Sequence, residues 1–453
     1  MKRSVTLIVL TGLISLTVSG QDITGAWGGI LKMPGLQLRL VLHINKAGDG
    51  YASTMDSPDQ GAKGIPVTST SFENATLKVT IANLEVEYEG VLSDSIINGN
   101  FEQHGQPFPL SLSRAGTEVS WIRPQKPVKP YPYYQEEVTF ENKGAAVKLA
   151  GTLTLPEKEG SFPAVILISG SGPQNRDEEL MGHKPFLVLS DFLTRNGIAV
   201  LRFDDRGVGA SSGEFKTATS LDFSKDVEAG IEYLKARREI DKTKIGLIGH
   251  SEGGLIASMV AADSEDVAFV VLLAGPGVPG DKVILAQQKL IGSASGIDQA
   301  TLAENEAINK GAFEIVKRPE DTTQLKVKLT EYLEQQQVPE KEISSSVGQL
   351  ISPWMRYFLQ YDPATSLGKV KCPVLALNGS KDLQVSPKEN LAAIKAFLAK
   401  GGNNKATVKE LPGLNHLFQE CKTGLPAEYS TIEQTFSPIA LNEILEWVQE
   451  QVK

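Results

Sequence analysis

A chain of 453 residues is too long for one small domain and suits two or three. Its 41% hydrophobic and 22% charged content describes an ordinary soluble globular protein. A formal charge of −9 with no basic tract argues against nucleic-acid binding, and two cysteines with five scattered histidines build no metal cluster, so neither a metal nor another cofactor is expected.

The chain opens "MKRSVTLIVLTGLISLTVSGQD", with Lys2 and Arg3 before an apolar stretch from Val5 to Val18 and the small residues Ser19 and Gly20 behind it. This pattern predicts a secretory signal peptide over 1–20 and an exported protein, periplasmic or extracellular. The rival reading is a membrane anchor. The stretch is short for a span of about 20 residues and no basic stop-transfer cluster follows, so no stable membrane insertion is expected. Without Lys2 and Arg3 the chain keeps 43 basic against 54 acidic residues, a net −11.

Residues 21–122 read as an all-β domain. "LQLRLVLHI" (36–44) alternates Leu36, Leu38, Leu40, Leu42 and Ile44 with Gln37, Arg39, Val41 and His43, and "EVEYEG" sets Val86 and Tyr88 against Glu85, Glu87 and Glu89. Period-two patterning predicts strands with one buried face. About eight such strands, with turns such as "KAGDG" between them, suit a small antiparallel barrel or sandwich. His43 and His104 read as solvated strand residues. "MDSPDQGAKGIP" (55–66) reads first as a surface turn and second as a loop with a role at the domain interface. "RPQKPVKPYPYY" then predicts an extended linker over 123–135.

From about Glu136 to the end, the α/β domain 136–453, the grammar changes. Apolar runs at 162–170, 197–204, 244–249, 267–275 and 372–379 alternate with helical stretches, which predicts a mostly parallel sheet flanked by helices on both faces. Between about 277 and 363 the rhythm gives way to helical, Glu/Gln/Lys-rich sequence, a helical cap insertion. Cys372 begins a predicted strand and Cys421 lies beyond its far end. About 20 Å of strand, at ~3.3 Å per residue, separates them, which predicts free thiols even in an exported protein.

Two stretches match G-x-S-x-G: Gly249-His250-Ser251-Glu252-Gly253 and Gly209-Ala210-Ser211-Ser212-Gly213. Context separates them. Ser251 stands directly between the strand "KIGLIG" and the helix-like "GGLIASMVAAD", as a strand–elbow–helix nucleophile must. Ser211 lies in a polar loop with no helix behind it. A serine nucleophile needs a base, an orienting acid and two oxyanion donors. His416, in "LPGLNHLFQE" after the last strand-like run, is the candidate base. Asp382, after the strand ending "VLALNG", is the candidate acid, with Asp362 in "QYDP" as competitor. The backbone N–H of Glu252 is one candidate oxyanion donor. Ser171 in "SGSGPQNRDEE" is the second, with Gly172 as its alternative. The Glu252 carboxylate is expected to point away from the oxyanion and be held by a partner, since negative charge develops beside its N–H.

Together these residues resemble the α/β-hydrolase superfamily, and most closely the secreted bacterial carboxylesterases that carry an extra N-terminal β-domain. The resemblance rests on "GSGPQNRD" (170–177), "GIAVLRFDDRGVGASSGEF" (197–215), "GHSEGG" (249–254), "WMRYFLQYDP" (354–363), "NGSKDLQV" (378–385) and "GLNHLFQ" (413–419). It implies the α/β-hydrolase fold, a Ser251–Asp382–His416 triad, a helical cap, and hydrolysis of small or glycan-borne carboxylic esters. Where many of these hydrolases have His-Gly at the oxyanion loop, this chain has Ser169-Gly170-Ser171-Gly172. In "DDRGVG", Asp205 and Arg206 are expected to pin the loop beside the elbow. The rival functions are a secreted serine exopeptidase of the same fold, with Glu304 and Glu306 as amine anchors, and a non-catalytic hydrolase-fold binding protein.

Overall fold

The computed structural model describes residues 22–33, 36–60, 62–103, 105–114 and 123–453. The predicted signal peptide and His104 lie outside the described residues. The chain forms two compact units; the second comprises the α/β domain together with short stretches within 32–39 and 57–62.

The first unit is an antiparallel barrel of β1 (Gly25–Met33), β2 (Leu36–Ala47), β3 (Gly50–Ser57), β4 (Ala62–Pro66), β5 (Ser69–Glu73), β6 (Thr76–Ile81), β7 (Val86–Ser93), β8 (Ile96–Gln103) and β9 (Gln106–Arg114). Pairing runs β2-β1-β9-β8-β7-β6-β5-β3, and β3 pairs back onto β2, closing eight strands with β4 flanking β3. Closure removes the open edges that a sandwich would leave. Along β7 the buried and exposed residues alternate without a break, with Val86, Tyr88 and Leu92 inside and Glu87 and Glu89 outside. Two expectations change here. His43 is not merely solvated, because its Nε2 meets Asp56 Oδ2 at 2.8 Å. The 55–66 stretch is not a plain surface turn: Asp59 is buried and takes both the backbone N–H and the guanidinium of Arg39.

After an irregular stretch from Arg123 to Tyr133, the second unit builds one eight-stranded sheet. Its strands are β10 (Tyr134–Asn142), β11 (Val147–Leu155), β12 (Phe162–Ile168), β13 (Ala199–Phe203), β14 (Ile240–His250), β15 (Phe269–Leu273), β16 (Val374–Gly379) and β17 (Ala406–Leu411), ordered β10-β11-β13-β12-β14-β15-β16-β17. The pairs β10–β11 and β11–β13 are antiparallel and the remaining pairs are parallel. This is the α/β-hydrolase fold.

Helices α1 (Pro185–Arg195), α2 (Ser220–Lys235) and α3 (Glu252–Asp263) follow β12, β13 and β14. Six helices then lie between β15 and β16: α4 (Gly280–Ala294), α5 (Gln299–Val316), α6 (Thr322–Gln335), α7 (Glu340–Leu350), α8 (Pro353–Gln360) and the short α9 (Ala364–Leu367). The last two are α10 (Pro387–Lys400) and α11 (Pro438–Gln451).

The continuous apolar strands are explained by burial on both faces. Ile166, Leu201, Leu247 and Val270 face α2, α3 and α10, while their neighbours Val165, Val200, Ile248 and Val271 face α1 and α11. Helices α5 to α8 keep a core of their own around Phe313, Leu325, Leu329 and Met355.

Candidate active site

Strand β14 ends at His250 and α3 begins at Glu252, so Ser251 alone turns the chain, at φ 52° and ψ −121°. A non-glycine residue held there is strained, and the neighbours show what holds it. Ser251 N–H donates to the Leu273 carbonyl at 2.8 Å, and the Ser251 carbonyl accepts from Gly254 N–H at 2.9 Å. A Cβ on Gly249 would stand 2.0 Å from the Gly253 carbonyl oxygen, and one on Gly253 would stand 2.1 Å from that of Ile168. Both glycines are therefore fixed by close backbone approach at the elbow.

Asp382 lies in the loop after β16. Its Oδ1 accepts the N–H groups of Gln384 and Val385 at 2.8 and 2.9 Å. Its Oδ2 faces His416 Nδ1 at 2.8 Å, and both side chains are buried. That bond keeps the proton on Nδ1 and leaves Nε2 as the basic nitrogen. Asp362 is exposed and accepts from Ala364 N–H at 3.0 Å, a turn role at the start of α9. The structure thus brings Asp382 and His416 together and leaves Asp362 aside. Ser251 Oγ has no hydrogen-bond partner among the described residues. What joins His416 to the elbow is His250, whose Nε2 lies 3.0 Å from the His416 carbonyl oxygen with the two rings 4.8 Å apart.

Ser171, Ser251 and Glu252 line one cavity. The N–H groups of Ser171 and Glu252 donate to no other described residue, whereas Gly170 N–H is taken by Glu178 Oε1 at 2.8 Å. Gly172 lies outside the cavity's lining. The Glu252 carboxylate is buried and held: its Oε1 accepts from Ser220 Oγ at 2.6 Å and from Trp354 Nε1 at 2.8 Å. Burial pushes its pKa up, against those two bonds. The cap shapes the cavity through Val283, Ile284 and Gln287 of α4 and the stacked Trp354 and Phe358 of α8.

Ser211 has a structural place. Its Oγ donates to the Asp204 carbonyl at 2.7 Å and accepts Ala150 N–H at 2.9 Å. Asp205 does pin the loop after β12, through Ser169 Oγ and Gln174 N–H at 2.9 Å each. Arg206 turns the other way, onto Asp226 of α2 at 2.7 Å. Cys372 and Cys421 are free thiols, the former pushed up to about 11 by burial. Among the described residues no group of acidic, histidine or cysteine side chains is arranged to hold a metal, and no helix is long and apolar enough to cross a membrane.

Sequence reasoning missed Glu178, and nothing in "RDEEL" separates it from Glu179. The structure does: Glu178 is buried against His250, while Glu179 pairs with Lys184.

A family model described as serine aminopeptidase, S33, matches residues 185–420. Among curated relatives, Esterase EstD of Thermotoga maritima is 26% identical over 322 residues, covering 70% of this chain and 69% of its own. Among solved structures, the Pyrococcus furiosus esterase Pf2001 is 18% identical with a TM-score of 0.42, over 70% of this chain and 93% of its own. Est1E of Butyrivibrio proteoclasticus, solved with ferulic acid bound, is 17% identical with a TM-score of 0.41, over 70% and 99%.

Proposed function

The chain belongs to the serine aminopeptidase S33 family of hydrolases, and from that premise we propose that it is a serine carboxylesterase acting on small, short-acyl esters through Ser251, His416 and Asp382. The observation that carries this reading is the buried Asp382–His416 pair, joined through His250 to the elbow whose serine lines a cavity with two unengaged amide N–H groups. His416 Nε2 takes the Ser251 proton as Oγ attacks the ester carbonyl. Asp382 keeps the ring oriented and stabilises its charged form. The N–H groups of Ser171 and Glu252 receive the oxyanion, each worth on the order of 3 kcal/mol in the transition state. His416 then protonates the departing alkoxide, and water releases the acid from the acyl-enzyme.

The family's description and the likeness to an esterase point to different scissile bonds. An aminopeptidase needs a carboxylate facing the substrate's ammonium. Among the described residues the one carboxylate lining the Ser251 cavity, Glu252, is occupied by Ser220 and Trp354. Of the expected anchors, Glu304 is exposed and Glu306 meets Lys289 at 3.5 Å in a separate hollow. This supports ester over peptide hydrolysis. The leader-like first 20 residues support export, to be checked by N-terminal sequencing of the mature protein.

Ser251→Ala should abolish p-nitrophenyl acetate hydrolysis and labelling by a fluorophosphonate probe without lowering the melting temperature, while Ser211→Ala keeps turnover. Hydrolysis surviving in Ser251→Ala sinks the nucleophile assignment. Faster turnover of aminoacyl anilides than of esters by the unaltered protein would favour the peptidase.

A further inference from the structure

His250 has a place in the site that neither the elbow motif nor the triad explains. It is buried, and both ring nitrogens face acceptors: Nδ1 lies 2.9 Å from Glu178 Oε1 and Nε2 lies 3.0 Å from the His416 carbonyl oxygen. A neutral imidazole has one N–H and cannot donate both bonds. The pair therefore holds one more proton than a carboxylate beside a neutral ring. The same Glu178 oxygen also accepts Gly170 N–H at 2.8 Å, one residue before the Ser171 donor. Gly170 is packed tightly there, since a Cβ on it would lie 3.2 Å from Ser251 Cβ. One carboxylate oxygen and one imidazole thus tie the oxyanion loop to the loop that carries the base.

We infer that Glu178 and His250 form a positioning pair, with His250 an imidazolium that fixes the oxyanion donors and the general base in a single frame. This rests on the esterase reading above. The titratable groups around His250 are Glu178 from the β12–α1 loop, His416 from the β17–α11 loop and Asp382 from the β16–α10 loop. Burial opposes the charge on His250, but Glu178, the His416 carbonyl and Asp382 outweigh it and raise the pKa. His250 Nδ1 faces Glu178 and Nε2 faces the His416 carbonyl, so the ring stands between the carboxylate and the loop that carries the base.

Glutamine at 178 cannot replace this arrangement. Its single carbonyl oxygen can accept from Gly170, but without the negative charge His250 loses a proton and with it one of its two bonds. Glu178→Gln and His250→Gln should each lower kcat for p-nitrophenyl acetate about 10- to 100-fold with KM within about threefold, because the lost alignment matters in the transition state. The double variant should be no worse than the worse single one. Nitrogen NMR of the unaltered protein should show both His250 ring N–H protons at about pH 7, and this needs neither turnover nor a folded variant. A singly protonated ring at that pH overturns the inference, as do additive losses or a Glu178→Gln enzyme with unaltered kcat. If Ser251→Ala retains activity, the esterase reading has failed while the NMR result still decides the state of His250. If Ser251→Ala is inactive and Glu178→Gln fully active, the pair alone has failed.

Discussion

Asp205 accepts the Ser169 hydroxyl on one carboxyl oxygen and the Gln174 N–H on the other. Burial, and then the nearby Glu252 and Glu178 carboxylates, push its pKa up to about 8 against those two bonds. A carboxyl raised this far stays protonated in the fold while the unfolded chain ionises near about pH 4. Its contribution to stability is full below about pH 4 and is lost as pH rises through about 8. Asn at 205 cannot ionise, and its amide can give an N–H to Ser169 Oγ while its oxygen accepts from Gln174. The melting temperature of Asp205→Asn relative to the unaltered protein should therefore rise from about pH 5 to about pH 9; a difference that stays flat over that range would show that Asp205 ionises normally. Asp205 was legible as a pin for the loop only through "DDRGVG", within a stretch that carries the resemblance to the hydrolase superfamily. The sequence could not tell that Arg206 points to α2, since that depends on where Asp226 lands one helix later. Glu178 was illegible for the same reason: its partner, His250, is 72 residues away.

At the level of elements, the elbow was legible because its demands are local. A strand, one strained residue and a helix need small residues two positions either side of the turn, and the sequence supplies Gly249 and Gly253. Gly253→Ala tests that demand. The added Cβ would stand 2.1 Å from the Ile168 oxygen and 2.7 Å from its carbonyl carbon, both in the main chain of β12, which is paired on both sides and cannot retreat. The substitution should cost about 3 kcal/mol of stability and most of kcat, because Ile168 leads directly into the Ser169–Gly172 loop proposed above to receive the oxyanion. A denaturant melt and a rate measurement check both; unaltered values for both would mean that the helix can slide away from the sheet. By contrast, β10 and β11 gave no separate signal. They run antiparallel to each other and precede the alternation of strand and helix, and β11 is buried on nearly every residue, so the period that marks a half-exposed strand is missing. The crossing order β11-β13-β12-β14 was equally silent, because an apolar strand records that it is covered and not which strand lies beside it.

For the whole molecule, the change of grammar near the proline-rich stretch separates two kinds of core. Period-two patterning before it builds a barrel interior, and continuous apolar runs after it build a sheet covered twice. Alternation could not decide between barrel and sandwich, since it assigns faces and not partners; the β2–β3 and β1–β9 pairings close the ring. Separate cores predict separable failure. Gly99 lies opposite Gly90 in the β7–β8 ladder, and a Cβ on it would stand 2.2 Å from the Glu89 oxygen and 2.5 Å from Gly90 Cα. Both contacts are main chain inside one hairpin of the barrel, so Gly99→Ala should push β7 and β8 apart. Hydrogen exchange should then quicken across β6 to β9, while β12 to β16 keep their protection and kcat stays within about twofold. Loss of protection in β14 or a collapse of turnover would mean that the barrel's integrity is a condition for the hydrolase fold and not merely its neighbour in the chain. Retained protection with retained turnover would show that the cap and the elbow, joined where Trp354 donates to the Glu252 carboxylate, keep their arrangement without an intact barrel.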